Sequence, residues 1–291
     1  VERLRELVAD TQAEVSGLNV GITGEPVLQI DEMAQSQKDT MAASGIALVG
    51  CALIFIYGYR QMARPLKAVL ALVMGLGYTM AFTTLVIGHL NILTITFVPI
   101  LIGLAIDFGV HLITRFEEEL RNGVEPGAAM HVAMVNTGLG IFTGALTTSG
   151  AFFAMGLTSF KGIQEMGVIC GAGMLLGLIA MITLLPALLL LGKHDTAKQK
   201  EPVRDDRRAR LERLWLQRPR LVVAVTVVLI VVSVIQARHL FFDYNLLNMQ
   251  SKDLPAVLFE KKLIRSADKS VLFAAVVADS KEEAIALEEK I

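Results

Sequence analysis

Residues 102–116 read IGLAIDFGVHLITRF, and the carboxylate of Asp107 at their centre decides how the chain is to be understood. It lies on an apolar run, Ile92–Thr114, that is long enough to cross a bilayer, since about 20 residues at 1.5 Å rise span the hydrocarbon. A carboxylate at that depth costs about 2.5–3.5 kcal/mol on insertion scales and more in simulations. Such a residue is expected to face the interior of a helix bundle and to handle ions, protons or a polar partner. The other apolar runs hold no Asp, Lys or Arg in their interiors, so the sequence offers neither a second buried carboxylate nor a counter-ion. The expectation is a proton-coupled membrane transporter.

Working outward, 54% of the 291 residues are hydrophobic, which is too apolar for an ordinary soluble domain of this length. The excess falls in six span-length blocks: Met41–Tyr59, Leu66–Gly88, Ile92–Thr114, His131–Leu157, Gly162–Leu191 and Leu221–Ala237. The net charge of −1 gives no indication of nucleic acid, but the distribution of charge is informative. Lys and Arg collect at Arg60–Lys67 and Arg115–Arg121, and ten fall between Lys193 and Arg220, whereas His89–Asn91 and Thr158–Lys161 hold one Lys between them. The positive-inside rule makes the three basic loops cytoplasmic. Alternation through six spans then puts both chain ends outside. The chain begins at Val1 without a start Met or signal peptide, so an earlier span in a longer polypeptide is expected to carry its first segment across. Cys51 and Cys170 both sit in spans and give no disulfide framework and no metal spacing.

The flanks read differently. Val1–Val15 suits an amphipathic helix, and the alternation at Asn19–Thr23 suits a strand closed by the turn Thr23-Gly24-Glu25-Pro26. Residues 1–40 thus read as the end of one αβ domain outside the membrane. Residues 239–291, with a strand expected at Ser270–Ala278 and a helix start at Ser280–Ile291, read as the beginning of a second. Residues 41–191 carry five spans, 192–220 a basic linker and 221–238 the sixth span. Within the linker, Asp205–Gln217 is either a helix lying on the inner membrane surface, with Trp215 at headgroup level, or a solvated linker with a positive-inside bias.

The signatures of soluble enzymes (HExxH, CxxC, a Walker loop, a nucleophile elbow) are absent, and no cofactor or metal is implied. Gly138-Leu-Gly140 and Gly171-Ala-Gly173 resemble fragments of nucleotide loops but lie in spans. Gly140/Gly144, Gly167/Gly171 and Gly173/Gly177 have the small-xxx-small spacing of close helix packing, a role also expected of Gly103. In Asn136–Gly150, ten of fifteen residues are Gly, Ala, Ser or Thr. Thr143, Thr147, Thr148 and Ser149 are candidate partners for Asp107 or for water reaching it, unless their hydroxyls bond their own preceding carbonyls. His111, one turn beyond Asp107, is either a relay partner or an interfacial residue.

GLAIDFGVHLITRFEEEL, TGLGIFTGALTTSGAFFAMGLTSF and KGIQEMGVICGAGMLLGLIAMITLLPALLLL resemble the fourth to sixth spans of the resistance-nodulation-division (RND) superfamily. The likeness is to its lipid-handling branch, the mycobacterial-membrane-protein-large-like (MMPL) and hopanoid-biosynthesis-associated transporters. The five-span region is also similar to a sterol-sensing domain, and FFDYNLLNMQS resembles the hopanoid-associated branch. The resemblance implies an α-helical polytopic fold: a six-span half of a twelve-span bundle, spans two to seven, with partial αβ periplasmic domains at both ends. It implies that Asp107 is the proton-relay acid of the fourth span. Where many lipid-type members have Asp-Tyr, this chain has Asp107-Phe108, and it has one acid where drug-efflux members have two.

The implied activity is proton-driven export of a hopanoid-type lipid from the inner membrane or periplasm toward the outer membrane. The implied partners are that lipid, the second half of the polypeptide and possible further copies of the protein, and no nucleic acid. Two other classes fit the same spans: a sterol-sensing-type lipid receptor without turnover, and a scaffold subunit of a protein-export complex.

Overall fold

The computed structural model describes residues 1–15, 17, 19–59, 61–191, 217–241, 250–251 and 254–266. Among these residues the secondary structure is helical and no strand is present. The helices are α1 Glu2–Glu14, α2 Glu25–Tyr59, α3 Ala63–Val86, α4 Phe97–Arg121, α5 Pro126–Met155, α6 Lys161–Leu190, α7 Pro219–Ala237 and α8 Pro255–Ser266. Six of them, α2 to α7, are long and apolar enough to cross a membrane. The polytopic helical architecture is therefore as expected, with shifts at most of the span boundaries.

The chain divides into two compact units, Val1–Lys38 with Asn245–Ile291, and Asp39–Tyr244. In the first, Val27, Leu28, Ala256 and Val257 form a small core, with Val1, Ile22 and Leu254 packed against it. Thr23 donates its hydroxyl toward the carbonyl of Ala256 (2.9 Å) and toward Glu260 Oε2 (2.8 Å), and Arg5 pairs with Asp31. The two ends of the chain, expected to belong to separate domains, thus contribute to one core. Residues 19–23, expected as a strand, carry no regular structure. A single strand gains stability only by pairing, and here the Thr23 side chain is taken up by α8. The expected strand Ser270–Ala278, helix Ser280–Ile291 and most of the linker helix Asp205–Gln217 lie outside the described residues.

The second unit is built around α6, which has 61% of its most apolar window buried. Lipid is as apolar as Leu, so helices in a membrane associate through close packing rather than through escape from water. Small residues supply that packing here. A Cβ on Gly75 of α3 would stand 3.0 Å from Gly177 Cα, one on Gly173 would meet Leu101 and Thr79, and one on Gly177 would stand 3.2 Å from Ala105 Cβ. At Gly167 a Cβ would fall 2.5 Å from the Phe152 carbonyl oxygen and 2.8 Å from Gly156 N. Both obstacles are backbone. Gly167→Ala is therefore expected to cost about 1–3 kcal/mol through overpacking, read as a lowered thermal midpoint of the full-length protein in detergent. An unchanged midpoint would contradict the packing described.

The short links follow from local chemistry. After α4, Gly123 adopts φ 82°, its N–H bonds the Leu120 carbonyl (3.1 Å), and Val124 N–H bonds Glu119 (3.2 Å), which is a Schellman stop. Glu125 then takes an extended conformation, and Pro126 opens α5 with its φ already suited to a helix. Ahead of α4, the Asn91 side-chain oxygen accepts N–H bonds from Leu93 and Thr94, both 2.9 Å, and so starts the short 3-10 turn Thr94–Thr96.

Candidate functional site

α4 shows two faces. Leu101, Ile102, Ala105, Ile106, Phe108, Gly109, Leu112, Ile113 and Phe116 are buried against the bundle. Gly103, Asp107, His111, Thr114 and Glu118 are exposed, at the i, i+4, i+8, i+11, i+15 spacing of one helical face. Asp107 lies about 15 Å along a helix about 37 Å long, near its middle. It makes no hydrogen bond or ion pair with any described residue.

Within this unit the Asp107 side chain faces outward, so the bundle-interior position expected of it is not met among the described residues. The physical reason is the tightness of the core. Phe108 and Gly109 are packed inward, a Cβ on Gly109 would stand 3.3–3.5 Å from Ala68, Met181 and Leu185, and an unpartnered carboxylate there would lack the pairing a buried charge requires.

The hydroxyls of α5 do not reach Asp107. Thr143 and Thr147 are exposed, but Thr143 bonds the Leu139 carbonyl (2.8 Å) and Thr147 the carbonyls of Thr143 and Gly144 (3.0 Å each). Ser149 is buried and ties α5 to α6 through the Gly171 carbonyl (2.8 Å). Thr148 is half-buried. The back-bonding alternative therefore holds at Thr143 and Thr147. The glycines also divide. Gly167, Gly171, Gly173 and Gly177 sit where a Cβ would collide, whereas Gly103, Gly140 and Gly144 have open space around them among the described residues. The expected packing role of these last three is not met within the unit, because they lie on its outer surface.

Three polar groupings were not picked out from the sequence. At one end of the bundle, Arg64 of α3 pairs with Glu117 of α4 at 2.9 Å, both side chains 9% exposed, and the guanidinium lies 5.9 Å from the Phe116 ring centroid. At the other end, the Glu165 carboxylate accepts from Asn91 Nδ2 (2.8 Å) and faces His89 Nε2 (3.4 Å) and Lys161 Nζ (3.7 Å). The third joins α2 to α4: the Tyr59 phenol meets the Thr114 hydroxyl at 2.7 Å and the Val110 carbonyl at 3.1 Å. A signal for Thr114 and Glu118 exists in the sequence, since both continue the helical spacing begun by Asp107 and His111.

Chemically, this arrangement presents a titratable carboxylate at mid-span on a face lined by glycine and exchangeable groups. Among the described residues no cluster of His, Cys, Asp and Glu is suited to hold a metal ion. The open space at Gly103, Gly140 and Gly144 admits the close approach of another backbone.

Comparison with known proteins places this geometry. The profile described as the MMPL family matches residues 1–230. The chain is 28% identical over 293 residues to the hopanoid transporter HpnN of Rhodopseudomonas palustris, covering 100% of this chain and 33% of that protein. It is 30% identical over 176 residues to the hopanoid transporter HpnN of Burkholderia multivorans, covering 60% of this chain and 20% of that protein. To the siderophore exporter MmpL5 of Mycobacterium tuberculosis it is 25% identical over 265 residues, 88% of this chain and 27% of the exporter. The chain spans about a third or less of the length of these relatives. A match across residues 1–230, on a scaffold of six membrane-length helices, makes this chain a multi-pass membrane protein of the MMPL family, within the RND superfamily.

Proposed function

We propose that this chain is the membrane region of the first half of a proton-driven lipid exporter in a bacterial inner membrane, with its terminal segments in the periplasm. The observation that carries the reading is Asp107, a mid-span carboxylate without a partner among the described residues. In hydrocarbon such a group is stable only when it is protonated or engaged. Its partners then come from a second half of the same polypeptide, docked on the α4–α5 face that Gly103, Gly140 and Gly144 leave open. Protonation removes the charge and its attraction to the docked helices, biasing the assembly between two arrangements. Basic residues gathered at 60–67, 115–121 and 193–220 support an orientation in which these ends are cytoplasmic.

For the cargo we infer a hopanoid-type polycyclic lipid, on the strength of the names of two relatives, while the siderophore exporter marks a competing class. Lipids extracted from the purified full-length protein, analysed by mass spectrometry, are expected to be enriched in polycyclic lipid. No enrichment, together with unchanged outer-membrane hopanoid after deletion of the gene, would remove this cargo.

A further inference from the structure

We infer that His111 and Thr114, with Tyr59 as a positioning residue, form the inward leg of the proton path from Asp107, an inference that rests on the proton-driven reading above. The first observation is one-sided chemistry along α4. From Phe97 to Ile106 the helix reads FVPILIGLAI and offers no side-chain O–H or N–H. From Asp107 toward the basic end, every turn of the exposed face carries an exchangeable group: His111, Thr114 and Glu118. These span about 16 Å from the carboxylate to the charged end of the helix, where Glu118 pairs with Arg115 at 2.9 Å. α4 therefore supplies half of a proton path, and it is the half on the inner side.

The second observation is the hydroxyl of Thr114. Thr79, Thr83, Thr143, Thr147 and Thr183 each bond the carbonyl four residues earlier, the usual use of a hydroxyl in a span. Thr114 instead meets Tyr59, and the carbonyl four residues before it, Val110, is taken by that same phenol. The hydrogen count fixes the direction. A phenol has one hydrogen and a carbonyl only accepts, so Tyr59 donates to Val110 and Thr114 donates to Tyr59. Thr114 keeps both lone pairs of its oxygen, and His111 stands one turn away on the same face, so the hydroxyl oxygen is an acceptor available to the ring. Among the described residues His111 forms no hydrogen bond or ion pair and Thr114 bonds Tyr59, while Glu117, held by Arg64, is the further charge within electrostatic reach of Tyr59.

Engaged by that acceptor on its inner side, the neutral imidazole would carry its hydrogen on the inner nitrogen and a lone pair toward Asp107. The protonated Asp107 carboxyl gives its proton to that lone pair, leaving a carboxylate and an imidazolium. The imidazolium then releases its inner proton to water at the Glu118 end, which leaves a neutral ring with its hydrogen on the outer nitrogen, and a flip of the ring restores the starting tautomer for the next proton.

The test uses the full-length protein in liposomes with the pH of each side set independently, and an imposed pH gradient to drive transport. His111→Phe and Thr114→Val are each expected to slow proton-coupled transport at least about tenfold, as removal of a proton-transfer group does. They are also expected to shift its dependence on inner pH while leaving the dependence on outer pH as in the wild type, and Thr114→Ser is expected to restore both. Wild-type rates, or equal displacement of both pH profiles, would overturn the inference. Thr114→Val is isosteric and exposed, so it keeps the test sound should His111→Phe fail to fold. Asp107→Asn serves as the reference: if it transports normally, the proton-driven reading itself has failed, whereas loss in Asp107→Asn with none in the two variants removes the inward leg alone.

Discussion

Asp107→Asn is expected to lower proton-coupled transport by the full-length protein by about 100-fold or more, the scale on which a proton-transfer group acts, while lipid binding and folding stay at wild-type levels. Asparagine matches aspartate in size and hydrogen-bonding reach but cannot take up or release a proton between pH 5 and 8. The exposed position of Asp107, opposite the buried face of α4, means that the substitution disturbs no packing within this half. Retained lipid binding separates the transporter from a receptor, in which loss of titration leaves the measured function unchanged. Gradient-driven transport at wild-type rate in Asp107→Asn would remove the residue from the mechanism.

The largest effect on stability is expected where Arg64 of α3 meets Glu117 of α4. Glu117→Ala deletes the carboxylate that holds Arg64 at 2.9 Å and lies 3.9 Å from Arg121, and Arg64 is itself 8% exposed. Breaking a buried pair from one side costs about 3–5 kcal/mol, because the remaining charge stays away from water. Glu117→Gln keeps a hydrogen-bond acceptor and is expected to lose less. Replacing both residues, as in Arg64→Met with Glu117→Leu, is expected to be close to neutral, since a well-packed apolar pair carries no charge to desolvate. Thermal midpoints of the three variants in detergent check the ordering. A double variant as damaged as Glu117→Ala would mean that the site contributes through packing rather than charge.

The fold was legible where physics acts along the chain. Each of the six spans was evident from length and hydropathy, and the structure moves only their ends. α2 begins at Glu25 instead of Met41 because the residues ahead of the apolar run continue the same helix. α4 begins at Phe97 instead of Ile92 because Asn91 spends its side chain on a turn, and it runs on to Arg121 because Glu117 is engaged by Arg64. What could not be read depends on contacts between distant segments. Spacing alone did not separate Gly173 and Gly177, where neighbours close in, from Gly140 and Gly144, where space is open. The outward face of Asp107 was hidden for a related reason. The first three turns of α4 are apolar all round, and which side of the helix is buried is decided by the α3, α5 and α6 surfaces it meets. The Asn91–Glu165 contact ties the α3–α4 link to α6, the Arg64–Glu117 contact ties α3 to α4, and no local pattern announces either.

The central claim, that proton flow drives cargo through this scaffold, is tested most directly by measuring both fluxes together. The full-length protein in liposomes loaded with a polycyclic lipid and a pH-sensitive dye is to be given an acidic periplasmic side. The account predicts proton entry that accompanies lipid export, with both abolished by a protonophore and by Asp107→Asn. Lipid export that continues at full rate with no gradient, or with no accompanying proton entry, would contradict it.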